Sequence, residues 1–201
     1  MQPTTNYIIR PGTNYSPNSG IFLAMDKKKL KEFYQWFMTS LPYCIEELMQ
    51  LIENTPGFEN WKADDSPDSL DGLGAWFFMK AKKRDYTQEE IKSIKKSFES
   101  KGEMDFSAWD LTDETKSLAL YVGMYYGEVA LKNHSLLNWE QCLGSKKIAD
   151  YGQPIITGNG FVPINPVRVA HSIAFGFVDG SKDGGALRKG YDYWEKLRVP
   201  S

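Results

Sequence analysis

Between residues 26 and 132 the apolar positions recur mostly at three- and four-residue intervals. After residue 135 they gather into short runs broken by glycine, proline and asparagine. The first texture is that of amphipathic helices, the second that of short strands joined by turns. Asp26 reads as an N-cap, and Leu30, Phe33, Tyr34, Phe37, Met38 and Leu41 follow on one helical face. Pro42 suits the first position of a second helix, whose stripe is Ile45, Leu48, Met49 and Ile52. An antiparallel helical hairpin is therefore expected, closed by Thr55, Pro56 and Gly57. Ser66, Pro67 and Asp68 open a third helix that turns Leu70, Leu73, Phe77 and Phe78 inward. Gly72 and Gly74 weaken that helix and point to close approach by another element.

Lys80 to Asp85 reads as a charged loop, after which Thr87 and Glu90 form a capping box for a surface helix with the seam Ile91, Ile94 and Phe98. Thr112 opens what reads as the longest helix, running to about Lys132 and apolar nearly all round. Such a helix is expected to run through the middle of a core. Its Ala119, Gly123 and Gly127, four apart, make a smooth stripe for a neighbouring backbone. Strands are expected at 137–143, 147–151, 154–157 and, beyond an Asn159-Gly160 turn, 161–163. Asn165 and Pro166 cap a helix with Val169, Ile173 and Phe177 inside, and a glycine-rich loop at 179–185 leads to a last helix carrying Leu187, Tyr191 and Trp194. Before residue 26, Tyr7 to Ile9 and Ile21 to Leu23 each read as an edge strand. The pattern as a whole predicts a helix-rich α+β single domain. Its helical part covers about 26–132, a small sheet with helices covers about 136–197, and the long central helix packs on that small antiparallel sheet.

A length of 201 residues suits one domain, and 41% apolar with 14% aromatic residues permits a large aromatic core. A formal net charge of −2 argues against a general nucleic-acid binder, which needs a strongly basic face. Cys44 and Cys142 belong to no CxxC or Cys/His cluster and read as buried thiols. The most apolar segment, 117–131, is shorter than the roughly 20 residues that span a bilayer and contains Glu128. The first residues show no basic stretch followed by an apolar run, so the cytoplasm is the expected compartment and no membrane is expected as a partner.

Three features bear on chemistry. Glu128 lies in the most apolar helix and needs water or a donor, for which Tyr125, Tyr126, Trp139 and Arg168 are candidates. Its structural reading is an anchor between helix and sheet. The alternative is a general acid or base in a pocket with Trp139 and His171 or Glu140. The structural reading is preferred, because buried polar groups are usually satisfied by structure. His134 and His171 share no metal-ligand spacing, so no metal is expected. Gly158 to Gly160 and Gly180 to Gly185 match neither a P-loop nor a dinucleotide fingerprint, and no GxSxG elbow occurs, so no cofactor and no catalytic residue is assigned. Two segments are acidic: Glu59, Asp64, Asp65, Asp68 and Asp71 against Lys62, then Glu99, Glu103, Asp105, Asp110, Asp113 and Glu114 against Lys101. If they adjoin, they make an acidic face suited to a basic protein, with Trp61, Asp64, Asp65, Asp68, Glu103, Asp105, Phe106, Trp109 and Asp110 as contacts. Otherwise they are solvated helix starts, and their aromatics are satellite core.

Ser69-Leu70-Asp71-Gly72-Leu73-Gly74, the run from Leu118 to Glu128, Trp139-Glu140 and Asn165-Pro166 form islands along the chain. They resemble a group of small bacterial cytosolic α+β proteins that includes domains of unknown function and immunity proteins neutralising polymorphic toxins. The resemblance implies a compact α+β fold and a non-enzymatic role in binding another protein, such as a basic toxin domain. It supplies no catalytic residues. An enzyme built around Glu128, Trp139 and His171, and a scaffold using an apolar groove of the first helical hairpin, are the alternatives.

Overall fold

The computed structural model describes residues 17, 19–98, 107–158 and 160–197. It is a helix-rich α+β fold with two small antiparallel two-stranded sheets. The run Ile21 to Leu23, expected as a strand, lies in a short helix, α1 (Ser19–Ala24). Only Phe22 of the three is buried, meeting Phe33 edge to face at 5.0 Å, so one apolar anchor suffices and no strand partner is needed. Tyr7 to Ile9 lie outside the described residues.

The expected helical hairpin does not form. α2 (Lys27–Glu53) is one helix of 27 residues with Pro42 inside it, and Asp26 accepts from Lys29 N at 2.8 Å to cap it. Its buried residues Leu30, Phe37, Leu41, Leu48 and Ile52 follow alternating intervals of seven and four, in unbroken phase across the proline. Burial of that single stripe outweighs the one backbone hydrogen bond that Pro42, on the solvent side, fails to donate.

α3 (Ser69–Lys80) has Asp68 at its N-cap and not the expected Ser66, whose Oγ accepts from Ser69 N at 3.2 Å in the turn that leads into the helix. Trp76 is buried in α3, donating to Thr55 Oγ1 at 3.0 Å, while Phe78, expected inside, is half exposed against Phe177. The supposed charged loop contains β1 (Lys83–Asp85), paired antiparallel with β2 (Trp109–Leu111) so that Arg84 faces Asp110. Between them α4 (Gln88–Phe98) begins at the capping box: Thr87 N donates to Glu90 Oε2 at 2.8 Å, and Glu90 N to Thr87 Oγ1 at 3.2 Å.

α5 (Asp113–Asn133), capped by Thr112, is the central helix, although α2 is longer. Buried residues surround it between Ala119 and Ala130. β3 (Leu137–Gln141) and β4 (Pro154–Gly158) pair antiparallel, with Trp139 opposite Ile156. Residues 147–151 form turns and not the expected strand: of that stretch only Tyr151 is buried, so its alternation has no face to cover. The expected strand at 161–163 does not form: Phe161 has only bridge character, and Ile164, just beyond it, bridges Ile156. α6 (Pro166–Asp179) is capped by Asn165, which accepts from Arg168 N at 3.0 Å, and ends at left-handed Gly180. α7 (Ala186–Lys196) buries Leu187, Tyr191 and Trp194.

The small-residue stripe on α5 works as a packing surface. A Cβ at Gly123 would collide with the backbone of Val167 on α6, and one at Gly127 with the ring of Trp139 and with Ile156, so the central helix lies directly on the β3–β4 hairpin and on α6. The N-terminal half of α2 covers the same hairpin: Tyr34 donates to Trp139 O at 2.9 Å, and Gln141 donates to Leu30 O at 2.6 Å. Cys142 is buried and Cys44 only partly so, and neither is in a disulfide. Among the described residues no helix is long and apolar enough to cross a membrane.

Candidate functional site

α5 carries Glu128 to its border with β3, where the carboxylate is partly buried and accepts from Trp139 Nε1 at 2.8 Å. Trp139 itself is buried, edge to face with Phe37 at 5.2 Å. This hydrogen bond ties the central helix to the sheet. Tyr125 and Arg168, two of the other candidate donors, serve elsewhere. Tyr125 turns toward α3, where its hydroxyl contacts Ser69 Oγ at 2.7 Å and accepts from Asp65 N at 3.1 Å; burial pushes its pKa up to about 12. Arg168 pairs with Asp150 at 2.5 Å. Tyr126 is buried edge to face on Tyr191 at 5.7 Å, and its hydroxyl has no hydrogen-bond partner among the described residues.

His171 is not drawn to Glu128. It sits on α6 against Phe175, with ring centroids 5.3 Å apart, and its charge responds to Asp110, Lys116 and Arg168. Its Nε2 is buried with no hydrogen-bond partner among the described residues, and burial pushes its pKa down to about 4. The pocket expected around Glu128, Trp139 and His171 is therefore split between the β3 side of α5 and its N-terminal end.

The described parts of the two acidic segments are likewise separated. The first is fixed near the C-terminal half of α5, where Asn133 donates to Asp65 O at 2.8 Å. The second is fixed at its N-terminus, where Lys116 meets Asp110 at 2.6 Å. A 21-residue helix is about 31 Å long, so Asp65 and Asp110 stand toward opposite ends of it. Glu103, Asp105 and Phe106 lie outside the described residues. Trp109, partly buried, tilts against Phe175 at 5.5 Å beneath the Lys83 ammonium.

The first segment forms a shelf of its own. Asp64 is exposed and accepts from Ser66 N and Oγ at 2.9 and 2.6 Å, bonds that hold its carboxyl below the usual range. Asp65 takes the left-handed conformation (φ 58°) and is pinned to Tyr125 and Asn133. Asp68 and Asp71 both meet Arg188 of α7, which also holds Asp192 at 2.7 Å. The carboxylates of Asp64, Asp65, Asp68, Asp71 and Asp192 outnumber the cations Lys62 and Arg188. Trp61 backs the shelf, half-buried, donating to Ser69 O at 2.9 Å with its ring over Gly72.

A groove of 800 Å³ lies between α6 and α7, where the hydrophobic pattern predicts none. Its walls include Ser172, Ile173, Gly190 and Tyr193, and Tyr126 contributes to its floor. The available signal was Ala186 and Gly190, one turn apart on α7, which leave a hollow beside the exposed Tyr193. Among the described residues no three His, Cys, Asp or Glu side chains are placed to hold a metal ion. No protein-family model, curated protein or solved structure matches the chain.

Proposed function

We propose that this chain is a non-enzymatic protein-binding domain acting in the bacterial cytoplasm as an immunity protein, and that it masks a basic surface of a cognate toxin. The observation that carries this reading is the carboxylate shelf at the start of α3. Asp64 and Asp68 point to solvent, while Asp65 and Arg188 fix their frame to α5 and α7. A rigid excess of negative charge steers a cationic partner and fixes its orientation. The half-buried Trp61 behind it offers an anchor of the kind that dominates interface energetics. Glu128, engaged by the Trp139 indole, serves packing in this reading and not turnover.

The test is co-expression with a toxin encoded by an adjacent reading frame. Protection and a stable complex are expected from the wild type, with both lost in Asp64→Lys/Asp68→Lys while the circular dichroism spectrum is unchanged. Absence of protection and of a complex with the wild-type protein would sink the proposal.

A further inference from the structure

The α6–α7 groove has the volume of a small-molecule site, 800 Å³. Its polar and apolar ends are separated by the topology. Trp194 donates to Val162 O, near the start of α6, at 2.9 Å, whereas Lys182 N donates to Gly176 O, near its end, at 2.9 Å. The two helices are therefore antiparallel, and the 180–185 loop closes one end of the groove. At that end stand Ser181, Lys182 and Lys189. Lys189 is paired with Asp183 at 2.8 Å. Lys182 lays its stem over Gly176, and its ammonium forms no ion pair among the described residues. Asp179, which feels the Lys182 charge, is turned to Ser181 N at 2.8 Å. The opposite end is walled by Val162, Pro163, Trp194 and Leu197, with Arg168 held by Asp150 beside it. At the loop end the cations Lys182 and Lys189 exceed the one lining carboxylate there, Asp183, while Arg168 belongs to the other end. Between the ends, the buried Tyr126 closes the groove from below.

The geometry points to a binding site for an amphiphilic carboxylate, its head at Lys182 and Ser181 and its apolar tail along Ile173 and Trp194 toward Leu197. α7, with 11 residues, extends about 16 Å, the scale of an acyl chain of about ten carbons. The cationic end selects an anion and the opposite wall removes the tail from water. This site is independent of the acidic shelf.

Calorimetric titration of the full chain with sodium decanoate, below its micellar concentration, tests the proposal, with 1-decanol and decyltrimethylammonium as comparators. Saturable one-to-one binding of decanoate is expected, about tenfold tighter than that of decanol, with none for the cation. Lys182→Gln is expected to weaken decanoate about tenfold and to leave decanol unchanged. Gly190→Leu locates the site: a Cβ there meets nothing nearer than Ile173 Cδ1 at 4.0 Å, so the side chain enters open groove while helix propensity improves. That variant is expected to melt no lower than the wild type and to bind no decanoate. Equal binding by Gly190→Leu and wild type, decanol binding as tightly as decanoate, or no saturable binding at all would each overturn the assignment.

Discussion

Tyr125 and Tyr126 are adjacent in α5, carry the same hydroxyl and meet opposite circumstances. The first bonds Ser69 and Asp65, while the second is buried with its oxygen unbonded among the described residues. Tyr125→Phe therefore takes the partner from Asp65 N and one of two bonds from Ser69 Oγ, which keeps Ser66 O, and is expected to cost about 1–2 kcal/mol. Tyr126→Phe removes a group that gained nothing on folding and is expected to leave stability unchanged or to raise it by up to about 1 kcal/mol. Urea denaturation of the two variants side by side checks the contrast, and equal losses would refute it. His171 supplies the second expectation at this scale. Burial holds its folded-state pKa near 4, below the ordinary 6.5, so unfolding takes up a proton between those values. Its neutral form supports the fold fully above pH 6.5. That support fades as the pH falls from 6.5 toward 4, by at most about 3 kcal/mol. His171→Gln should flatten this part of the pH–stability curve measured by denaturant melts; an unchanged slope would show that carboxylates alone set it. Single residues were legible where their partners are close in sequence, as for Thr87 with Glu90 or Asn165 with Arg168. Trp139 was readable as a donor to Glu128 because β3 follows α5 directly. The distance between Glu128 and His171 was not, because it depends on which side of α5 receives α6.

At the scale of elements, local rules worked until a longer pattern overruled them. Pro42 is a good helix opener, so the local rule predicts a break there. The deciding signal was the uninterrupted phase of Leu30, Phe37, Leu41, Leu48 and Ile52. Since Pro42 removes one hydrogen bond from an otherwise continuous helix, Pro42→Ala is expected to stabilise the protein by about 1–3 kcal/mol, read as a higher melting temperature. Had the hairpin been the true structure, the same substitution would destabilise a turn. Gly127→Ala separates propensity from packing. Alanine improves helix propensity by about 1 kcal/mol, yet its methyl collides with Trp139 and Ile156, and a net loss of about 1–3 kcal/mol in thermal unfolding is expected. A rise in melting temperature would mean that the helix–sheet contact is looser than described. β1 escaped the sequence reading because Lys83, Arg84 and Asp85 offer no apolar alternation: the strand exists through its pairing with β2 and not through a buried face. The 147–151 run failed for the opposite reason, having alternation without a sheet to receive it.

For the molecule as a whole, the α+β class and the central place of α5 were legible, because a helix apolar on every side has few places to go. Both candidate sites depend on α7, whose three faces have different work. Arg188 and Asp192 complete the acidic shelf, Leu187 and Tyr191 enter the core, and Lys189, Gly190 and Tyr193 border the groove. That division was hidden from the sequence, since it is set by α3 on one side and α6 on the other. The core residues of both halves form one connected cluster, from Phe22 through α5 to Trp194. Unfolding is accordingly expected in one step, with far-ultraviolet circular dichroism and tryptophan fluorescence giving the same midpoint. Two separated midpoints would show that the hairpin and the N-terminal helices are independent units.

The cover that α2 and the β3–β4 hairpin give each other has a consequence for synthesis. Tyr34 waits 105 residues for the carbonyl it bonds, and Leu30 waits 111 for Gln141. At about 5–20 residues per second, the oily side of the first long helix emerges from the ribosome roughly 5–20 seconds before its lid is translated. During that interval a nascent chain has only itself or a chaperone to shield Leu30 and Phe37, so truncation before the hairpin should yield aggregates and not a smaller folded protein.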